Sequence, residues 1–581
     1  MPMGAYITYS NLFDRIPSWD EIIALIKGLP MLTAAATLMR MNMALRFALQ
    51  EPNRPNFGRL QQVMVNDFTD DETYRRLQER FTSVLTDERP IFLPLADLNV
   101  LRLVLTYSRE GDPLITEDIP ALRHSLGTAC LMMNNLLLSA EEERQITEGD
   151  EDARRLALLV QTLAPFELAF PPVDSHLLFR YGVMFRMLLD DPAVRARIVS
   201  QCRGFDFQDE FKALTGITLE RWLHIVFAIY SYYLHGGNVF EPHPEFSFFD
   251  PNISAAQLQV TSVELDAVLK SLSTPLNTLR QEIAQEVPTD PRFDFVPFRS
   301  HPLVPIATGR VACIDLAFLL EKLHTGVHWV MHDAYDNRRS RRDDLFKAWG
   351  ILFEEYVHWL LLNMESTLPM TYFRPQWERG DESFDGMLLQ GDVLVPMEYK
   401  GGFLARGARY SANTGEFTKD VDKKFGLGCH QLASKLNLLF AQEESQRKRI
   451  KDAPPLTHIR AVVPVLVLQD NILRAPFLNW YLNRQFQREL ASFSLSPNIV
   501  VRALTVVNVF ELETMVNSSG ASGFAFIYAL HLRAIRDEKM LSQLPDVLRQ
   551  FPTYGRKQSA RWVKVYEELQ RSLFGSLFPE N

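Results

Sequence analysis

The stretch that decides the fold of the carboxy-terminal half runs from Ser383 to Gly402 and reads SFDGMLLQGDVLVPMEYKGG. The Gly391-Asp392 pair lies between two apolar runs and predicts a tight β-hairpin. Successive residues of a strand face opposite sides, so Glu398 and Lys400 share one face of the second arm, while Asp385 lies on the first arm. Charged side chains in an apolar hairpin must be compensated by a partner or a cation. The hairpin is therefore the first candidate for a functional site.

Carboxylates at this position are suited to a divalent metal ion. Asp385 and Glu398, together with a backbone carbonyl such as that of Tyr399, would offer the oxygen ligands that Mg²⁺ prefers. The metal would lower the pKa of a bound water and neutralise charge on a phosphate, while Lys400 would orient the nucleophile and stabilise developing negative charge. We therefore expect Mg²⁺, with Mn²⁺ as the alternative, at a catalytic centre made of these residues.

The hairpin belongs to an ordered alternation of secondary-structure elements. The apolar periodicity predicts a helix over residues 343–364, three strands, a helix near 423–442 and a strand at 459–468. A helix at 478–493 and a strand at 499–509 follow. This αβββαβ order with a further αβ pair predicts a mixed sheet that has helices on both faces.

The motif in this setting resembles a known family. Asp385, twelve intervening residues and then Glu398-Tyr399-Lys400, preceded by a helix and followed by a helix and a strand, resemble the PD-(D/E)XK nuclease superfamily over about residues 343–510. The resemblance implies a restriction-endonuclease-like domain that hydrolyses phosphodiester bonds with Mg²⁺, and DNA is the expected substrate.

The resemblance also implies further site residues. An acid on the helix before the hairpin often joins the metal site in that superfamily, and Glu354 is the match here, as catalytic residue and metal ligand, with Glu355 as the alternative. The helix after the hairpin often adds a polar residue, for which Gln431 is the candidate and Lys435 a second one. Pro396 interrupts the motif strand and predicts a bulge or a late strand start.

The other regions differ in pattern from this core. Helical periodicity covers residues 1–285, with a candidate break at 236–254, where Gly, Pro, Asn and Phe accumulate. Residues 286–342 are expected to be a linker with a hairpin and a helix, and residues 511–581 a helical extension. The predicted fold class is thus α+β: an all-α amino-terminal region, a restriction-endonuclease-like domain with a mixed sheet, and a helical tail.

Composition and charge limit the partners and the location. The net charge of -10 argues against a protein that coats nucleic acid nonspecifically. Residues 401–451, however, hold ten Lys or Arg against five acids, a local excess of +5 that suits a phosphate-bearing substrate. Four widely spaced cysteines exclude a zinc ribbon or a disulfide framework. No signal-peptide pattern and no long apolar run is found, so we expect a cytoplasmic protein without membrane contact.

Two functional interpretations remain open from the sequence. In the first, the protein is a metal-dependent endonuclease, and its helical region chooses the target or a protein partner; by analogy of architecture this suits bacterial restriction or anti-phage defence. In the second, the nuclease-like domain is catalytically inactive and serves as a nucleic-acid-binding or scaffold subunit of a larger complex. An ordinary surface hairpin with a cross-strand ion pair is the non-functional alternative for the motif itself.

Overall fold

The chain divides into two compact units that are each discontinuous in sequence. Unit 1 comprises Met1–Arg144, Gln208–Ala334 and Ser576–Asn581, and unit 2 comprises Gln145–Phe207 and Tyr335–Gly575. The computed structural model describes residues 6–49, 57–81, 90–111, 114–115, 119–137, 150–169, 174–235, 248–252, 260–285, 289–306, 309–335, 338–364, 369–378, 383–451, 456–470 and 477–516, with a few positions after residue 529.

Between residues 6 and 285 every described element is a helix, in agreement with the periodicity of the sequence. The helices up to residue 334 are α1 (Tyr9–Phe13), α2 (Trp19–Ile26), α3 (Met31–Leu49), α4 (Phe57–Phe68), α5 (Asp71–Arg80), α6 (Pro94–Tyr107), α7 (Pro120–Leu136), α8 (Glu151–Ala169), α9 (Asp174–Tyr181) with a π-helical continuation (Gly182–Leu188), α10 (Pro192–Gln201), α11 (Phe207–Thr215), α12 (Leu219–His235), α13 (Ser262–Leu272), α14 (Leu276–Ala284), α15 (Val296–Ser300), α16 (Leu316–Glu321) and α17 (Thr325–Ala334). The expected hairpin after residue 285 is formed by β1 (Leu303–Pro305) and β2 (Val311–Cys313), which pair antiparallel.

The rest of the chain alternates helices and strands. Its elements are α18 (Arg339–Leu362), β3 (Thr371–Phe373), β4 (Gly386–Gln390), β5 (Val393–Lys400), α19 (Arg406–Tyr410), α20 (Thr414–Val421) with a π-helical continuation (Asp422–Gly426), α21 (Leu427–Phe440), a short 3₁₀ turn (Glu444–Gln446), β6 (Ala461–Val462), β7 (Val465–Leu468), α22 (Leu478–Leu490), β8 (Val500–Val501), β9 (Thr505–Asn508) and α23 (Val509–Val516). The protein is therefore of mixed α+β class. None of the described helices is both long and apolar enough to cross a membrane.

One mixed sheet organises unit 2. β3, β4 and β5 are antiparallel neighbours, and the register of the predicted hairpin runs from Gly386↔Met397 to Gln390↔Val393. The turn closes through Gly391, whose φ of 57° suits a glycine. Beyond β5 the sheet is parallel: β6 and β7 pair with β5, and β8 and β9 pair with β6 and β7. The strands expected at 459–468 and 499–509 are thus each divided into two short strands.

The neighbouring strand is divided at a place where two prolines meet. β5 is continuous, and Pro396 pairs with Met387 of β4 without a shift in register. On its other edge β5 pairs with β6 at Leu394 and with β7 from Met397 onward. Proline has no N–H to donate to a ladder, and the interruption between β6 and β7 lies beside Pro396 and itself contains Pro464. The bulge or late start that we expected in β5 is wrong, because the neighbouring strand accommodates the proline instead.

Helices cover both faces of β5. On one face, the His358 ring of α18 lies 5.4 Å from that of Tyr399. On the other face, Gln431 of α21 contacts Lys400. A Cβ at Gly428 would lie 2.6 Å from Leu466 Cδ1, so glycine at this position allows α21 to approach the sheet closely.

Residues 145–207 belong to the same unit as the sheet, so the contiguous helical region expected over residues 1–285 is divided between the two units. Arg180 of α9 forms an ion pair of 2.6 Å with Glu513 of α23, and the Tyr356 hydroxyl of α18 donates to the same carboxylate at 2.7 Å. Glu513 is fully buried. Burial alone would raise its pKa, but Arg180 and His176 hold that pKa below its ordinary value. Sequence periodicity reveals an apolar helix face but not the core on which the face packs.

The expected linker at 286–342 also differs from the structure, because its residues up to Ala334 belong to unit 1. Asp315 caps α16 through the Ala317 amide at 2.7 Å and accepts from Arg46 at 2.8 Å and Asn42 at 2.9 Å, both of α3. The single helix expected after the hairpin is two helices, α16 and α17. The candidate break at 236–254 lies largely outside the described residues, as does most of the extension at 511–581.

Candidate active site

The hairpin register places Asp385 directly opposite Glu398. Asp385 precedes β4, and its amide donates to the Met397 carbonyl at 3.1 Å. Its Oδ2 accepts a hydrogen bond of 2.7 Å from the Tyr399 amide, and its Oδ1 accepts none from the described residues. Burial raises the pKa of Asp385, and the charge of Glu354 adds to this rise, while Lys400 opposes it. The two motif carboxylates therefore meet at one end of the hairpin, as the strand pattern predicts.

Glu398 is the most deeply buried member of the motif, at 1% exposed. Its Oε2 lies 3.3 Å from Lys400 Nζ, and its Oε1 forms an ion pair with Lys435 Nζ. Burial, and next the charge of Asp385, raise the pKa of Glu398 to about 7, although both lysines oppose the rise. Two carboxylates and two lysines thus form one buried charged cluster at the hairpin.

Helix α21 adds two side chains to the motif residues Asp385, Glu398 and Lys400. Gln431 and Lys435 are four residues apart and lie on one face of the helix. Lys400 donates a hydrogen bond of 2.6 Å to Gln431 Oε1, and Lys435 Nζ also lies 5.9 Å from the centre of the Phe384 ring. The structure therefore brings together Asp385, Glu398, Lys400, Gln431 and Lys435.

Glu354 and Glu355 of α18 are held by arginines. Glu354 lies 2.8 Å from Arg197 Nη2, and Glu355 lies 2.5 Å from Arg197 Nη1 and pairs also with Arg374. Burial alone would raise the pKa of both glutamates, but these partners, with His358 beside Glu354, lower it. Glu354 is the one whose charge acts on Asp385. Of the two expected alternatives, Glu354 is therefore the one that interacts electrostatically with the motif, although it also forms an ion pair with Arg197.

A row of polar rings lies between Glu354 and the hairpin. His358 Nε2 is 3.5 Å from Glu354 Oε1, and His358 Nδ1 contacts the Tyr372 hydroxyl. That hydroxyl lies 3.2 Å from the hydroxyl of Tyr399. A Cβ at position 386 would overlap the Tyr399 hydroxyl, so Gly386 is needed where this row reaches the strand that begins after Asp385.

Sequence reasoning missed several of these residues. His358 could have been found, because it follows Glu354 by four positions and therefore shares its helix face. Tyr372 and Arg374 lie around a short strand that carries no motif. Arg197 gives no signal at all, since it is 157 residues away from Glu354 along the chain.

Comparison of the chain with protein-family models, curated proteins and solved structures finds no match. The chemistry of the site is therefore inferred from its own residues.

The donor set of the hairpin fits a magnesium-like ion. No cluster of three or more His, Cys, Asp or Glu suited to a metal occurs among the described residues. Mg²⁺, however, commonly binds through one or two carboxylates and completes its shell with waters and substrate phosphate. Asp385 and Glu398 lie opposite each other, and a cation would favour the charged form of Glu398, whose pKa is raised first by burial and next by Asp385. Tyr399, whose carbonyl is the third expected ligand, donates its amide to Asp385 Oδ2 and is in register with Val467 of β7.

Proposed function

We propose that unit 2 contains a nuclease core of the PD-(D/E)XK type, which hydrolyses phosphodiester bonds in DNA with Mg²⁺ or Mn²⁺. The observation that carries this proposal is the convergence of Asp385, Glu398 and Lys400 at the hairpin, with Gln431 supplied by the next helix. The order of α18, three antiparallel strands, α21 and a parallel strand supports it. The proposed restriction-endonuclease-like domain requires this order.

The residues of the chain have separate roles in this proposal. Asp385 and Glu398 hold the ion, which when bound supplies an activated water and positive charge for the phosphate. Lys400 is held by hydrogen bonds to Glu398 and Gln431, so its ammonium group is already oriented before the substrate binds. Lys435 adds a second positive charge beside the position of the phosphate. Glu354 is the proposed further metal ligand on α18, with Arg197 as its present partner.

A cleavage assay tests the proposal. Plasmid, linear and single-stranded DNA, and RNA, are incubated with the protein in Mg²⁺, Mn²⁺ or EDTA. We expect metal-dependent cleavage that falls about 100-fold or more in Asp385→Asn and in Lys400→Met, the loss typical of a removed transition-state contact. Asp392→Asn is the matched control, because Asp392 is exposed at the other end of the same hairpin. Absence of cleavage by the wild type under every condition, or undiminished cleavage by both variants, would contradict the proposal.

A specific observation favours a second candidate, a nuclease-like subunit that binds nucleic acid without cutting it. Both oxygens of Glu398 are already neutralised by Lys400 and Lys435, so this carboxylate is compensated without a metal. The same assay separates the candidates when electrophoretic mobility is measured alongside cleavage. If the protein binds nucleic acid without cleaving it, and Asp385→Asn leaves this binding unchanged, the second candidate is favoured. A role in bacterial restriction or anti-phage defence, with a partner bound by the helical region, rests on architecture alone.

A further inference from the structure

Unit 2 contains a cleft of about 770 Å³ that shares helix α21 with the candidate active site. Its walls are the start of α8, the π-helical turn before α21, the first turn of α21 and the outer face of α22. Leu427 and His430 of α21 line the cleft, and Gln431 follows Leu427 by one turn on the same face of that helix. Gly428 lies against Lys400, where a Cβ would be 3.0 Å from Lys400 Cε. The first turn of α21 therefore contacts the cleft through its exposed residues and Lys400 through its buried residue Gly428.

The cleft offers an aromatic face for stacking. The Trp480 ring of α22 is flanked by two guanidinium groups, that of Arg155 at 5.2 Å and that of Arg484 at 5.8 Å from a ring centroid. Arg484 is paired with Asp152, and its side chain is 43% exposed. An exposed cation–π contact is weaker than the stacking of a nucleobase on an aromatic ring. A base could thus replace Arg484 on this ring and leave the guanidinium close to the adjoining phosphate.

The cleft has a mixed charge, because four carboxylates line it together with Lys423, Arg484 and Arg488. The acids are already engaged: Asp150 caps the Ala153 amide, Asp152 pairs with Arg484, Asp422 accepts from Tyr481 and Gln485, and Glu489 lies beside His430. Lys423 and Arg488 are exposed and form no ion pair or hydrogen bond with any residue that the structure describes. Two cations are therefore available to phosphate beside an aromatic ring.

We propose that this cleft, the Trp480 cleft, binds an unpaired nucleotide of the substrate strand, with its base on Trp480 and its phosphate at Lys423 and Arg488. The inference deepens the proposed function and rests on it, since it assigns the class of substrate to the same site. A paired base is covered on both faces by its neighbours in the duplex, so stacking on Trp480 requires a single-stranded segment. The substrate of the site is therefore single-stranded nucleic acid, or a duplex with a single-stranded part.

Equilibrium binding in EDTA tests this without cleavage. The probe is a fluorescein-labelled oligothymidylate, used alone or annealed to oligodeoxyadenylate, and anisotropy gives the dissociation constant for the full-length protein. We expect Trp480→Leu to weaken single-strand binding about 5- to 100-fold and to leave duplex binding unchanged. Trp19→Leu, a change at a partly exposed tryptophan of unit 1, is the matched control and is expected to bind like the wild type.

A second variant guards against a folding defect in Trp480→Leu. Lys423→Gln combined with Arg488→Gln changes exposed side chains, and it should reduce the slope of log affinity against log salt by about 0.7 for each lost phosphate contact. Failure of the wild type to bind the single strand, or unchanged single-strand binding in both variants, would overturn the inference. If the variants weaken binding but the wild type never cleaves, the Trp480 cleft stands and the nuclease proposal falls. If cleavage depends on Asp385 but Trp480→Leu leaves single-strand binding unchanged, the nuclease proposal stands and the proposal for the Trp480 cleft falls.

Discussion

Lys435 of α21 forms an ion pair with Glu398 of β5, so the helix that follows the hairpin neutralises a carboxylate that is 1% exposed. The oxygen that Lys435 contacts, Oε1, is one that a metal ion would use. A buried carboxylate requires a counter-charge in any state. The lysine and a divalent cation are therefore alternative partners of the same group.

Removal of this lysine should strengthen metal binding. In Lys435→Met one positive charge leaves the surroundings of Glu398 and the carboxylate loses its internal partner, so a divalent cation gains in electrostatic attraction. We expect a lower dissociation constant for Mn²⁺, measured by electron paramagnetic resonance of the free ion. Lys270→Met, at an exposed position of unit 1, is the control. An unchanged or higher constant in Lys435→Met would show that Lys435 does not compete with the ion.

The raised pKa of Glu398 makes the stability of the fold depend on pH. Its folded-state pKa is about 7 and its ordinary value is 4.5, so the folded protein holds this proton more tightly than the unfolded chain. The resulting stabilisation is present in full below about 4.5 and is lost as pH rises through about 7. Glu398→Gln is neutral at every pH. We therefore expect its urea midpoint in EDTA to exceed that of the wild type increasingly between pH 5 and pH 8. A constant difference across this range would contradict the assignment.

Close packing of α21 on the sheet depends on Gly428. A Cβ there would lie 2.6 Å from Leu466 Cδ1 and 3.0 Å from Lys400 Cε, so in Gly428→Ala either these side chains or the helix that carries Gln431 and Lys435 must shift. Overpacking of this kind costs about 1–3 kcal/mol, and we expect cleavage activity to fall as well. Gly350→Ala is the matched control, because Gly350 is also helical and has nothing within 4 Å of the added Cβ. That control should be neutral or slightly stabilising. Equal thermal midpoints for the two variants would refute this role of Gly428.

The buried pair of Arg180 and Glu513 should matter far more than surface ion pairs. Glu513→Ala leaves the guanidinium without its carboxylate in a site from which water is excluded, at a cost of about 3–5 kcal/mol to unit 2. Glu79→Ala removes an ion pair whose side chains are 58% and 55% exposed, and we expect no measurable change. Urea unfolding of both variants checks the contrast. A similar midpoint for both would mean that the buried pair contributes little.

The hairpin and its charged face could be predicted because both depend on local rules. A two-residue turn fixes the register, and the two-residue period of a strand then places Glu398 and Lys400 together. Gln431 and Lys435 were named only through the resemblance to the nuclease superfamily, in which the helix after the hairpin often adds a polar residue. Pro396 was misinterpreted because the accommodating interruption lies in another strand, between β6 and β7.

Contacts between distant segments could not be predicted. Nothing in the local sequence of α10 relates Arg197 to Glu354, and nothing in α9 relates Arg180 to Glu513. Each arginine lies on a helix whose periodicity predicts only an apolar face. The Trp480 cleft combines residues of α8, α21 and α22, and its walls meet only after the chain has folded. Element type is encoded locally, whereas the choice of packing partner is not.

The split arrangement of unit 2 constrains how the chain can be made and divided. During synthesis, residues 145–207 leave the ribosome long before residues 335–516, which belong to the same unit, have been made. The apolar faces of the helices in residues 145–207 therefore stay exposed until then. A fragment that starts at residue 335 would lack Arg197, which pairs with Glu354 and Glu355, and Arg180, which pairs with Glu513. A stable excised unit 2 would need residues 145–207 supplied as well, either joined by a new linker or added as a separate polypeptide.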